Sequence, residues 1–538
     1  MPSGEAWRRQ AVFGNYAERM PAECPKRPWI RGYTDRLGVA AGRQIGLCVS
    51  TNAAFYRVEV LRDGATMASV WRSGALPGRW YPAPANCSVI GCGWPVAFWL
   101  RTEPGWRAGG YVVRLHTVDA GQGDSSEHVF LLSAPPDAER SGRIALIAAT
   151  GSWTAYNDWG GSNHYQGLCG VTGDQFSPVL SLERPFARGF VSLLPDAPRA
   201  VLREDPAPMA EPIYPHLEWA FRHGYSKKYA SSGWASFERP FMQWAERQGL
   251  PVDPISHVDL HYRPDALAGY ACAVMVGHDE YWSWEMRDAV DNFVSAGGWV
   301  ARFAANFMWQ IRLEDEGRRQ VCHKYTARAA DPLMQSGPRS RVTESWEAAG
   351  IGRPGRDSFG LDATHGIYAG WSGCSPRGAR GFPVYRPDHW AFAGTGLYYG
   401  DILGGDSAIF GYEVDGLDYV ISGGLPRPAR PELYPDSYEI LALGLASTLE
   451  EGPTILPGES FLGTEDAEYV AGVLTGSPDA AGIESTKRGS GAIVHFRKGR
   501  GEVFHAGTCD WVAGLARSDP MVEQVTRTVL WRFLDGSG

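Results

Sequence analysis

At 538 residues the chain is too long for one ordinary hydrophobic core, so two or three domains are expected. Its 51 Lys and Arg stand against 60 Asp and Glu, a net charge of −9 without a concentrated basic block, which excludes a phosphate-tracking nucleic-acid binder and a polybasic membrane anchor. With 44% hydrophobic and 21% charged residues the composition is that of a folded globular protein, and no run of 18 uncharged apolar residues is available to span a membrane.

The N-terminus, MPSGEAWRRQAVFGNYAERMPAECPKRPW, has no apolar signal core, so the expected location is cytoplasmic. Residues 1–30 carry little periodicity and several prolines and read as an arm lying on the body or on a partner subunit. From 31 to 136 the pattern is short and alternating. Tyr56, Val58 and Val60 share one face before the turn Arg62-Asp63-Gly64, and Val96–Leu100 and Tyr111–Leu115 repeat the pattern. Strands at this spacing predict an antiparallel β-sandwich, closed by the punctuation Ala134-Pro135-Pro136-Asp137. The nine cysteines are scattered. Cys87 and Cys92 lie five apart with no second Cys/His pair to complete a zinc site, and read as buried or free thiols.

Residues 137–538 change period. Ile144–Ala149 is a continuous apolar run, the pattern of a strand buried on both faces. A helix is expected over Pro240–Gly249, a strand over Ser256–Tyr262, another over Ala271–Val276. A helix with Met286, Val290, Phe293 and Val294 on one face follows, then a strand over Trp299–Ala304. This alternation predicts a larger α/β domain with a parallel sheet, finished by a hairpin (Ala492–Phe496, Glu502–Ala506) and a helix from Pro520. In such sheets ligands sit at the carboxyl ends of strands, so the loops after Ala149, Tyr262, Val276 and Ala304 are where chemistry is sought.

The stock motifs of serine hydrolases, phosphate-loop NTPases and zincins are absent, and Gly394-Thr-Gly396 lacks the third glycine of a dinucleotide fingerprint. Four polar clusters remain: Trp153–Gly161, Gly277–Ser283, Val321–Tyr325 and Gly411–Gly416. Any one of them alone is more simply capping and turn chemistry; four at strand ends of one sheet point to a site. His257-Val-Asp259-Leu-His261 reads as an edge strand ahead of a metal site, and Lys324 as a solvated or ion-paired lysine.

These residues resemble a family. AYNDWGG at 155–161, GHDEYWS at 277–283, VCHKY at 321–325, GTGLYYGD at 394–401, GYEVDG at 411–416 and RGEVFHAGTCDW at 500–511, with GYTDRL at 32–37, are similar to the large (beta) subunit of N,N-dimethylformamidase and its relatives. The resemblance implies a sandwich-type domain followed by an α/β domain resembling the class I glutamine amidotransferase-like fold. It also implies a mononuclear iron centre held by two tyrosines and one glutamate, and hydrolysis of a small amide. Carried over, the ligands are Tyr281 and Glu413, with the second tyrosine aligned either to His323 or to Tyr325. Iron is expected, Fe3+ first; an imidazole from His323 would weaken that preference towards Fe2+ or Zn2+. Association into an oligomer, with a small companion subunit, is also implied.

The residues carry their own argument. Phenolate and carboxylate are hard anionic donors suited to a highly charged cation. An amine leaving group needs a proton, for which His278, Asp279, Glu280 and Glu502 are candidates, with His278 ranked above Glu280 because an imidazole can both give and take a proton near neutrality. Asn157 and Asn306 could donate hydrogen bonds to an oxyanion. The expected function is therefore metal-dependent hydrolysis of a small N-substituted amide such as a formamide, the 21 Trp, 23 Tyr and 21 Phe supplying apolar walls. The alternatives are a non-enzymatic, aromatic-rich carbohydrate- or ligand-binding protein, and a relative acting on a carbamate or ester.

Overall fold

The described part of the chain's start packs on a later helix. The computed structural model describes residues 6–118, 123–168, 176–199, 215–366, 380–447 and 465–536; the first five residues of the expected arm lie outside them. Helix α1 (Ala6–Phe13) is followed by an extended stretch. Together they pack on the helix Pro215–His223, through Arg8–Glu218 at 3.3 Å and the Tyr16 and Phe221 rings at 5.3 Å.

The alternating segment folds into two facing sheets. Its strands are β1 (Ile30–Thr34), β2 (Gly38–Ala40), β3 (Gln44–Thr51), β4 (Phe55–Asp63), β5 (Met67–Arg72), β6 (Val96–Arg101), β7 (Gly109–Thr117) and β8 (Ser125–Ser133). One sheet runs β1-β3-β6 and the other β2-β8-β7-β4-β5, antiparallel except where β2 meets β8. Ile45, Leu47, Val58, Val60, Val113, Leu115 and Phe130 fill the space between them. The larger sheet is covered on its other face as well: Val112, Val129 and Leu131 share a core with Ile144, Leu146 and Trp234. That second contact needs Gly110, where a Cβ would come within 2.1 Å of the Trp234 indole. It is pinned by buried Asp63, which accepts from Trp234 Nε1 and Arg239 Nε, each at 2.8 Å.

The second half centres on one mixed sheet. In chain order it comprises β9 (Ile144–Ala148), followed by α2 (Thr150–Tyr156) and, later, α3 (Glu238–Arg247); β10 (Val252–Ser256), followed by α4 (His257–Tyr262); β11 (Cys272–His278), followed by α5 (Trp284–Ser295); β12 (Trp299–Ala305); and β13 (Glu439–Ser447), β14 (Arg488–Lys498) and β15 (Gly501–His505), followed by α6 (Trp511–Ala516) and α7 (Pro520–Asp535). The order across the sheet is β10-β9-β11-β12-β15-β14-β13, parallel from β10 to β15 and antiparallel beyond. Every residue of β9 and β11 is buried, as their unbroken apolar sequence requires. Val522, Val525, Val529 and Phe533 of α7 face the core as their spacing predicts. The molecule is thus a mixed α/β protein with sandwich-like antiparallel sheets, and among the described residues no helix is long and apolar enough to cross a membrane.

One expected strand is a helix. The strand read over Ser256–Tyr262 ends at Ser256, whose Oγ accepts the Asp259 N–H at 3.1 Å and caps α4. On this helix Asp259 lies on the side away from His257 and His261, which stand one turn apart: His257 Nε2 points to Asp279 at 3.5 Å, while His261 Nδ1 meets Ser283 Oγ at 2.7 Å.

Candidate active site

Strand order reverses between β9 and β11, because the chain leaves β9 for β10 on one side and continues from β11 to β12 on the other. A crevice opens at the carboxyl ends of strands at such a point. The four polar clusters and Asn306 meet there: α2 ends on Tyr156, β11 ends on His278 with Glu280 two residues on, Asn306 follows β12, and Glu413 and Lys324 come from the segments 411–416 and 321–325.

The hydroxyls form a chain onto one carboxylate. Tyr281 Oη donates to Tyr165 Oη at 2.7 Å; Tyr165 Oη lies 2.9 and 2.7 Å from the two Glu280 carboxylate oxygens, and Tyr156 Oη is 3.0 Å from Oε2. On its other side Glu280 Oε2 is 3.4 Å from His278 Nε2, which is 2.7 Å from Glu413 Oε2. His278 Nδ1 lies 2.8 Å from the Ser231 carbonyl, so that nitrogen carries a proton and Nε2 faces the carboxylates. Asn306 Nδ2 donates to Glu413 Oε2 at 2.6 Å and lies 3.0 Å from His278 Nε2, while Asn306 Oδ1, buried, accepts from no group among the described residues. Two ammonium groups stand over the Tyr165 ring: Lys324 Nζ at 3.5 Å and Lys228 Nζ at 4.7 Å from its centroid.

The backbone is bent to reach this arrangement. Asn306, Lys324 and Tyr412 adopt left-handed φ values of 61°, 48° and 41°, which cost energy for residues with a side chain. Asp415 holds the first of these, accepting from the Asn306 and Phe307 N–H groups at 2.8 and 3.3 Å. Gly277, at φ 75°, lies where a Cβ would come within 2.4 Å of Phe237.

Burial and charge set the protonation states. Burial lowers the pKa of His278, but the carboxylates of Glu413 and Glu280 outweigh it and push it up to about 9. Burial raises Glu280 against the opposing pull of His278 and Lys324. Burial, followed by the charge of Glu280, raises Tyr156 and Tyr281 well above the ordinary phenol. Lys228 is lowered to about 7 by burial and by the neighbouring Lys227 and Lys324.

The family model described as N,N-dimethylformamidase beta subunit-like, C-terminal, matches residues 54–524, which include every residue of this site. The chain belongs to this family. A search of the curated proteins gives no match. Membership in the N,N-dimethylformamidase-like family points to hydrolysis of an amide.

Of the residues singled out in this N,N-dimethylformamidase-like sequence, His278, Glu280, Asn306, Glu413 and Tyr281 come together, although Tyr281 reaches Glu280 only through Tyr165. The others lie outside this group. Asp279 is committed to Arg302 and to Trp282 Nε1, the latter at 2.8 Å, beneath the site. Asn157 donates to the Pro185 carbonyl at 2.9 Å and accepts from Trp159 and Ala187 N–H groups, so it ties loops together. Glu502 pairs with Trp299, the first residue of β12, and so sits at the opposite end of the strand from Asn306; its carboxylate meets His495 at 3.0 Å. His323 faces away, towards Asp331 and Arg312; Tyr325 borders the site, its ring 5.1 Å from Lys324 Nζ and its charge acting on Tyr281, and packs edge-on against Trp309 and Tyr469 at 5.1 and 5.2 Å. Between these two, Lys324 turns inward and is fully buried, not solvated. Its left-handed φ places it there, and no alternation rule foretells that.

Tyr165, Lys228 and Cys509 were not singled out from the sequence. Tyr165 lies in a polar stretch without periodicity and is recognisable only once its hydroxyl is seen on Glu280. Cys509 forms a second group of ligand-type atoms with His278 and Glu413, all within 4.8 Å of one another.

Proposed function

We propose that the protein is a mononuclear iron amidohydrolase that cleaves the C–N bond of a small N-substituted amide such as a formamide, with Tyr156, Tyr165 and Glu280 holding the metal. The observation that carries the reading is the convergence of two phenols, Tyr156 buried and Tyr165 partly buried, on a single buried carboxylate. The ligand set implied by the family resemblance is two tyrosines and one glutamate, carried over as Tyr281 and Glu413 with His323 or Tyr325; the trio proposed here has the same composition and has its oxygens in direct contact. The fit is chemical as well as spatial. Once deprotonated, the trio brings three hard anionic oxygens, which favours Fe3+ over Fe2+ or Zn2+. The ammonium groups of Lys324 and Lys228 over the Tyr165 ring favour its phenolate, and the Tyr281 hydroxyl is placed to hydrogen-bond it.

Iron in such a setting supplies Lewis acidity, polarising a carbonyl and acidifying water. The protein supplies the proton traffic. His278 Nε2, anchored through Nδ1 on Ser231, moves between Glu413 and the reacting centre, and its proton goes to the departing amine nitrogen, which cannot leave as an anion. Glu413 keeps that imidazole charged and oriented. Asn306 Nδ2 fixes the Glu413 carboxylate, leaving Oδ1 available to a donor such as a substrate N–H. The Tyr156 and Tyr412 rings, edge-on to His278 at 5.0 and 5.1 Å, flank it with apolar surface suited to N-alkyl groups.

The group His278–Glu413–Cys509 supports a second placement, with an imidazole and a thiol that would suit zinc. Elemental analysis with a visible spectrum separates the two. Tyr165→Phe is expected to lose iron, its phenolate-to-iron colour and turnover together, while Cys509→Ala retains all three. Retention of metal in Tyr165→Phe with loss in Cys509→Ala would overturn the tyrosine assignment. The wider reading, an α/β domain of the glutamine amidotransferase-like kind in an oligomer with a companion subunit, is supported by the parallel core of the sheet and by the family description beta subunit-like.

A further inference from the structure

A second constellation lies away from these residues, beside the antiparallel strands. Glu439 and His495 are register partners on β13 and β14, and Glu502 stands on β15 one strand further in. His389 reaches them from the segment that leads into the short turn Trp390–Phe392. His389 Nε2 is 3.2 Å from His495 Nδ1 and 3.7 Å from Glu439 Oε2, and the three ligand atoms lie within 4.8 Å of one another.

We propose that His389, His495 and Glu439 form a binding site for a zinc-type divalent transition metal, separate from the candidate active site. The spacing is the first reason. Two imidazole nitrogens about 2.05 Å from a tetrahedral zinc are about 3.3 Å apart, close to the separation found here. Orientation is the second. His495 Nε2 lies 3.0 Å from Glu502 Oε2, so the carboxylate holds the proton on that nitrogen and turns the Nδ1 lone pair towards His389. A carboxylate behind a ligating histidine is the usual support of such sites. The third reason is access: the two imidazoles are 7% and 9% exposed, whereas the Glu439 carboxylate is 40% exposed and opens the group to solvent.

The local charge selects among metals. Arg386 lies 3.6 Å from Glu439, Arg497 lies 3.5 Å from Glu502, and Arg532 stands over the Trp390 ring, so three arginines more than offset the two carboxylates. A cation gains little from net charge in this setting and must bond the imidazoles, which favours zinc, nickel or copper over magnesium or calcium. Binding has two local costs, the first being the His389 Nε2–His495 Nδ1 hydrogen bond at 3.2 Å. His389 Nδ1 accepts the Ala391 N–H at 3.2 Å, so its single proton sits on Nε2; when Nε2 binds metal that proton moves to Nδ1 and the Ala391 bond is lost. A bound ion would clamp the 386–393 segment to the edge of the sheet.

The test is zinc and cobalt titration of the full chain, in the wild type and in a Tyr165→Phe background that disables the proposed iron site. In both, about one equivalent of Zn2+ should survive gel filtration, Co2+ should give the visible bands of a low-coordinate site, and Zn2+ should raise the unfolding midpoint. His495→Gln and the solvent-facing Glu439→Gln should each weaken zinc binding at least tenfold and cancel the shift. Equal zinc retention in wild type and both variants, or none in the Tyr165→Phe protein, would overturn the site. Since the Tyr165→Phe background removes the iron ligand, either result is read independently of the amidohydrolase proposal.

Discussion

His278, at the carboxyl end of β11, and His389, beside β13 and β14, are both buried imidazoles within reach of acidic side chains. Burial lowers the pKa of each, yet His278 ends at about 9 and His389 at about 3. The difference lies in the neighbours. His278 faces two buried carboxylates, Glu413 and Glu280, whose attraction exceeds the desolvation cost. Beyond its own burial, His389 meets a second imidazole and the guanidinium groups of Arg532 and Arg386, and Glu502 only weakly opposes them. One ring is therefore kept protonated, as a donor to a leaving amine must be, and the other neutral, with a lone pair to offer. The same residue in two polar pockets is fitted to two chemistries by the charges around it.

The contrast is tested most severely at Glu280, which both tyrosines and His278 address. Glu280→Gln is expected to abolish iron binding and to lower kcat/KM by at least about 10³-fold. Iron at full occupancy in that variant, measured by elemental analysis, would remove Glu280 from the ligand set.

Next in size is the exchange of the two histidines. His278→Gln should keep iron and lose about 10²- to 10⁴-fold in kcat, the usual worth of a positioned acid or base. His389→Gln should leave kcat within about twofold. Equal losses in the two variants would mean that the two pockets serve one site.

Acid stability gives a third expectation, in the sandwich. His128 is fully buried, with Nε2 2.9 Å from Thr34 Oγ1 and its ring stacked on Phe186 at 4.8 Å; burial lowers its pKa to about 3. A histidine depressed in the fold contributes full stability above its ordinary value of 6.5 and loses it as pH falls towards 3. Between pH 6.5 and 4 this amounts to about 3 kcal/mol, at about 1.4 kcal/mol per unit. Denaturant midpoints should therefore fall over that range in the wild type and fall less steeply in His128→Gln.

Much of this was legible in the sequence, and what was missed has physical causes. The strands Ile144–Ala148 and Cys272–His278 announce themselves because buried parallel strands are apolar without alternation. Strand direction then gives the end of the sheet where polar side chains do chemistry. That rule finds His278 and Asn306; applied strictly it also excludes Glu502, which stands at the start of β15. Motif identity, by contrast, does not say which of several adjacent polar residues turns inward. In Val321–Tyr325 the positive φ of Lys324 decides it, turning Lys324 inward with Tyr325 beside it and His323 facing away. In Gly277–Ser283 it is Glu280, between His278 and the tyrosines, and not Tyr281, that occupies the centre. Tyr165 carried no local signal, because its role arises from a contact spanning 115 positions.

The smallest effect separates the two readings of Tyr281. If Tyr281 is a ligand, Tyr281→Phe removes metal and activity together. In the arrangement proposed above its hydroxyl only donates to Tyr165 at 2.7 Å. Removing that single bond should cost about 1 kcal/mol, a roughly fivefold loss in kcat, with iron content unchanged. The spectrum should move in a definite direction: a Tyr165 phenolate relieved of its hydrogen-bond donor holds its electrons less tightly, so the charge-transfer band shifts to longer wavelength. A colourless, iron-free Tyr281→Phe protein would return Tyr281 to the metal and move Tyr165 out to the supporting position.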